Sequence, residues 1–140
     1  MLKYYDDIKE LRDVGPKRRN DFSYWQQLLE SRTHGTERQI RNAINAFVDE
    51  KLARYGWTSE CWFCSSFIPG TDWTNTPYQP IYDAMYERYG EEPSWNQSRL
   101  FFGLLVKDVM IRRPEYWLCY KVPDEEEAEK GTNYFPELAS

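Results

Sequence analysis

Histidine, cysteine and long apolar runs are all scarce in this chain. One His and three Cys occur among 140 residues. The single imidazole, His34, falls in an expected loop with no neighbouring carboxylate except Glu30 and Glu37, which supports nucleophilic catalysis poorly. Cys61, Cys64 and Cys119 are too few, and odd in number, for a disulfide framework, which points to reduced thiols. No stretch approaches the roughly 20 apolar residues of a membrane-spanning helix. The longest candidate, Leu100 to Met110, is broken by Gly103, Lys107 and Asp108. The N-terminal segment carries charge from Lys3 onward and has no apolar core before a small-residue cleavage site, so no secretory signal is read and a cytoplasmic location is expected. A GxSxG motif, a Gly-rich phosphate loop and an internal repeat are missing as well.

Aromatic residues fill that space. Six Trp, eleven Tyr and seven Phe make up 17% of the chain, and such rings serve both cores and interfaces. The net charge of −5 is localised. Residues 123–140 hold one base, Lys130, and six acids, Asp124, Glu125, Glu126, Glu127, Glu129 and Glu137, which accounts for the whole excess. The reading is therefore one compact domain over 1–122 followed by an acidic, flexible tail over 123–140. A chain ending at Pro123 is expected to keep its fold.

Periodicity suggests an α+β domain, mainly helical, with about five helices and a two- or three-stranded antiparallel sheet. Leu2, Tyr5, Ile8 and Leu11 mark a first helix over 2–14, stopped by Gly15-Pro16, and Phe22, Trp25, Leu28 and Leu29 mark a second over about 21–32. Thr36-Glu37-Arg38-Gln39 reads as a capping box opening a helix over 37–55 that Gly56 closes. Pro80 suits the first turn of a short helix ending at Gly90. Ser94-Trp95-Asn96-Gln97 reads as a second capping box. The helix after it, apolar around most of its circumference, should cross the middle of the fold until Pro114 stops it. Segments 60–67 and 115–122 are expected to be strands that pair with each other. Helices followed by a hairpin also fit a winged-helix variant.

Several constellations invite a chemical reading. Cys61-Trp62-Phe63-Cys64 has the spacing of half a zinc site, which Cys119 and His34 would complete as Cys3His. Two bulky aromatics between the thiols suit a strand better than a zinc-binding turn, so buried thiols are favoured, and no metal or cofactor is expected. Residues 12–41 hold seven bases against four acids. Lys17, Arg18 and Arg19, with Arg38 and Arg41, are the nucleic-acid-binding alternative. Trp57, Trp62, Trp73, Tyr78 and Tyr82 fall in and around a Pro-rich connection, where rigid aromatics on a surface loop would anchor a protein partner. The opposing reading is that this loop closes over the apolar helix and its rings complete the core.

Without a catalytic signature, a non-catalytic, protein-binding role is the leading expectation, with the binding residues taken as Trp62, Trp73, Tyr78, Tyr82, Asp124, Glu125, Glu126 and Glu127. In general character, a small acidic chain with an aromatic body, it resembles virus-encoded inhibitors of host defence, anti-CRISPR proteins among them. That resemblance implies a protein partner in a nucleic-acid-handling complex, met in the host cytoplasm. A winged-helix-like regulator using the basic 12–41 region is the second reading, and a small metal-dependent or hydrolytic enzyme the third.

Overall fold

Three-to-four-residue spacing of large apolar side chains builds four helices in the computed structural model, which describes residues 9–11, 21–70, 72–121 and 132–138. Helix α1 (Phe22–Arg32) buries Phe22, Trp25 and Leu29, and α2 (Thr36–Tyr55) buries Ile40, Ile44 and Val48, one stripe on each. Helix α3 (Gln79–Tyr89) takes Pro80 in its first turn and buries Ile81, Ala84 and Met85. Helix α4 (Glu91–Arg112) has no single apolar stripe. Its buried residues, among them Phe101, Phe102, Leu105, Val106, Val109 and Met110, face α1, α2 and α3 together. It is the axis of the fold, as its apolar circumference suggested. Gly56 (φ 67°) and Gly90 (φ 88°) end α2 and α3 in the left-handed region that L side chains avoid.

Neither capping box forms. Helix α2 begins at Thr36 itself, whose hydroxyl donates to the Thr33 carbonyl. The exposed N–H groups are met from outside the helix, because the Glu30 carboxylate accepts from the backbone N–H of Gly35 and of Glu37, each at 2.9 Å. Helix α4 starts three residues before Ser94, which is fully buried and donates to the Glu91 carbonyl at 2.9 Å. Pro93 fits there because first-turn N–H groups have no helical partner to lose.

The sheet departs further from expectation. Four antiparallel strands run in the order β1 (Lys9–Glu10), β3 (Trp117–Lys121), β4 (Thr132–Pro136), β2 (Phe63–Cys64). Lys9–Glu10 is thus extended where a helix over 2–14 was expected; the rest of that span, except Leu11, lies outside the described residues. Segment 60–67 keeps only two strand residues, flanked by 3-10 turns over Ser59–Cys61 and Ser65–Phe67. It does not pair with β3. Strand β4, drawn from the supposed tail, lies between them, with Cys119 opposite Tyr134 and Tyr134 opposite Phe63. The domain therefore extends past residue 123, since Thr132–Pro136 supplies the strand that both neighbours need for their backbone hydrogen bonds.

Alternation sends Tyr134, Phe63 and Trp117 to the helical side. Tyr134 stacks on Phe63 at 5.3 Å, Phe63 meets Trp117 edge-on at 5.8 Å, and Phe47 of α2 meets Phe63 edge-on at 5.5 Å. Tyr134 is fully buried, and its hydroxyl has no close hydrogen-bond partner among the described residues. Burial pushes that phenol well above its ordinary range.

Two substitutions check this core. Leu105→Ala should cost about 2–5 kcal/mol in chemical unfolding, and a cost near zero would place α4 outside the core. Tyr134→Phe removes a buried hydroxyl that has no close hydrogen-bond partner among the described residues and should be neutral, or stabilising by up to about 1 kcal/mol; a loss of several kcal/mol would show that the hydroxyl is hydrogen-bonded, with Thr132 the first candidate.

Candidate functional site

The aromatic residues of the Pro-rich connection divide between interior and surface. Trp73 and Tyr78 are buried, so both leave the partner-binding set. Trp73 lies edge-on to Trp95 at 5.1 Å and is 5.6 Å from Phe102, while Tyr78 meets Phe102 edge-on at 5.1 Å. The loop thus closes over α4, with Trp95 and Phe102 receiving its rings. Tyr82 is half-buried, between Tyr86 and Trp95. Asp124, Glu125, Glu126 and Glu127 lie outside the described residues, in the sequence joining β3 to β4.

Trp62 stays outside. It precedes β2 and falls opposite Phe135 on the face of the sheet turned away from the helices, where the next strand places Leu118. A cross-strand row of Leu118, Phe135 and Trp62 results. Trp62 stacks on Phe135 at 6.4 Å and meets Phe67 edge-on at 5.6 Å, yet it keeps 40% of its surface exposed and Phe67 52%. Sequence reasoning missed Leu118, Phe135 and Phe67. The signal was the period-two alternation in TNYFP, which the acidic context obscured. Tyr24, Trp57, Tyr86 and Tyr116 are exposed as well; Tyr24 is tied to α3 by Arg88, whose Nε donates to its hydroxyl at 2.6 Å and whose guanidinium covers the Tyr89 ring, and Tyr86 packs on Tyr82 at 6.1 Å.

The Cys3His set does not assemble. Cys61, Cys64 and Cys119 are buried, whereas His34 sits on the turn between α1 and α2 with its side chain 99% exposed, 3.8 Å from Glu30. Among the described residues no three His, Cys, Asp or Glu side chains converge as metal ligands would. Burial pushes the Cys61 thiol up, only partly opposed by Lys51, so the nucleophilic thiolate is disfavoured there.

The arginines of the nucleic-acid alternative meet a different fate. Lys17, Arg18 and Arg19 lie outside the described residues, but Arg38 and Arg41 line a groove of about 1040 Å³ between α2 and the end of α4, together with Arg112 and Arg113. Arg41 is committed within the fold. Its Nε donates to Glu37 at 2.8 Å, and its Nη1 lies 2.8 Å from the buried Asp108. Arg113, 10% exposed, donates to Asn45 and Asp49 at 2.7 Å each and to both oxygens of Glu115. Burial alone would raise the Glu115 carboxyl, but the Arg113 guanidinium and the Trp117 indole N–H together hold it below the usual carboxylate range. Among the described residues no helix is long and apolar enough to cross a membrane.

No protein-family model matches the sequence, and neither a curated protein nor a solved structure matches it.

Two measurements follow from these environments. The Glu115 carboxyl titrates lower in the folded chain than in the unfolded one, so its contribution is complete above the ordinary carboxylate range and is lost as pH falls through the depressed value. Glu115→Gln should therefore lower the urea midpoint at pH 7 and flatten its decline below about pH 4, and parallel curves for the two proteins would contradict the assignment. The thiols should resist alkylation until unfolding, and the purified protein should carry no stoichiometric zinc. One zinc per chain, lost on Cys61→Ser or Cys64→Ser, would restore the metal site.

Proposed function

We propose that this protein acts without covalent chemistry, by docking the outer face of its sheet on another protein. One observation carries the reading: Trp62 and Phe67, both exposed, pack against each other beside Phe135 and Leu118, so that two exposed rings form one continuous aromatic patch. Leaving a Trp and a Phe half in water forgoes about 1–2 kcal/mol each that burial would supply. Both rings are already held by neighbours, so little side-chain freedom is left to lose on binding. Trp is the residue most typical of binding hot spots, and contiguous exposed apolar surface marks interaction sites.

Steric inhibition of a nucleic-acid-handling complex is the specific form that the chain's character suggests. It requires that the isolated protein have no affinity of its own for DNA or RNA. The nucleic-acid-binding reading is weakened around Arg41, where Glu37 and Asp108 offset part of the guanidinium charge and the carboxylates of Asp49 and Glu115 line the same groove. The enzymatic reading has no assembled set of groups to support it among the described residues.

The tagged protein, mixed with extract of its native host, should capture a partner by a contact that Trp62→Ala with Phe67→Ala weakens at least tenfold, since hot-spot truncations cost about 2 kcal/mol or more. Thermal unfolding of the double variant should stay within a few degrees of the parent. Undiminished capture by a folded double variant would exclude this face. Salt-sensitive binding of the isolated protein to nucleic acid would instead favour the basic-region reading.

A further inference from the structure

The groove between α2 and the end of α4 has two unlike halves. At one, Arg113 uses four of its five donors on Asn45, Asp49 and Glu115, which fastens the segment leading into β3 to α2. At the other, the guanidiniums of Arg41 and Arg112 meet with donors left over, and Arg38 lines the same groove. Asp108, buried, receives Arg41 from α2 and Arg112 from its own helix on a single oxygen, at 2.8 and 3.2 Å. One carboxylate thus fixes two guanidiniums from different helices. A guanidinium has five N–H donors, and the bonds to Glu37 and Asp108 engage the Nε and Nη1 of Arg41 and the Nε of Arg112. The Arg112 side chain is 66% exposed, and Arg38, exposed one turn before Arg41, makes no ion pair among the described residues.

We propose that this half of the groove binds a single oxyanion group, a carboxylate or a phosphate, on Arg38, Arg41 and Arg112. Planar N–H forks match such oxygens in pairs, and the Asp108 anchor removes much of the entropy cost of ordering two long side chains. The walls exclude a polyanion. Asp49 and Glu115 stand at the Arg113 end of the same groove and would repel successive phosphates of a nucleic-acid strand, whereas one isolated group need approach only the Arg38, Arg41 and Arg112 end. The site is independent of the aromatic face. It would accept either an acidic side chain of a partner or a free phosphate compound.

Inorganic phosphate and glutarate, titrated into the full chain at matched ionic strength, distinguish the sources. Each should shift the Arg41 and Arg112 side-chain Nε resonances saturably, and each should displace the other; tighter phosphate points to a phosphate compound, tighter glutarate to an acidic side chain. Arg112→Gln and Arg38→Gln should each weaken binding about tenfold, the worth of a charge-assisted hydrogen bond. Arg38→Gln, which breaks no ion pair among the described residues, keeps the test valid should Arg112→Gln disturb the fold. Arg54→Gln, at the far end of α2, should change nothing. Non-saturating shifts, equal losses with Arg54→Gln, or a single-stranded oligonucleotide that outcompetes phosphate and weakens steeply with salt would each overturn the proposal.

Discussion

Strand β4 decides how the two halves of this molecule meet. Strand β2 is two residues long and among the described residues pairs only with β4, so Phe63 is held in the sheet by Tyr134, far along the chain, and Ser65 Oγ receives the Thr132 N–H from 67 residues away. Closing so long a loop is entropically costly, whereas pairing β3 with β4 across residues 122–131 costs far less. The hairpin can therefore form first and offer an edge to which the 59–67 segment adds. Tyr134 then ties the sheet to the helices through Phe63, Trp117 and Phe47. Trp57 clasps the far end, packing edge-on to Trp117 at 5.1 Å and donating its indole N–H to the Glu137 carbonyl.

The same strand creates the exposed face. A strand buried on one side must present its alternate residues on the other, so placing Tyr134 inside obliges Phe135 to point out, into line with Leu118 and Trp62. Core and surface are coupled here by a single register. A slip by one residue would exchange them, exposing Tyr134 and burying Phe135.

The helices were legible in the sequence because their signal is local. The spacing of Phe22, Trp25 and Leu29, the glycines at 56 and 90 and the apolar circumference of α4 all report directly on backbone geometry. Capping was not legible, since Glu30 satisfies the α2 N-terminus from the preceding helix and Ser94 lies inside α4 rather than before it. Both motifs matched a pattern whose competitor was tertiary. Strand β4 was hidden for a different reason: TNYFP is short, ends in proline and follows an acidic run, so composition argued for a tail while only its pairing partners argued for a strand. Trp73 and Trp62 look alike in sequence, and what separates them is that Trp73 reaches Trp95 and Phe102 on α4. Asp108 likewise reads as a charge interrupting an apolar run, whereas its burial makes it the anchor for arginines on two helices.

The acidic C-terminal region contributes a structural strand, and a chain ending at Leu138 compared with one ending at Pro123, by near-ultraviolet circular dichroism and urea unfolding, puts that strand to the test. The longer chain should unfold cooperatively with the full-length midpoint. The shorter one should lose its aromatic signal and its cooperative transition, because β2 and β3 are left with unpaired edges and Phe63 loses its stacking partner. Full-length stability in the chain ending at Pro123 would contradict the account and return residues 123–140 to the role of a dispensable tail.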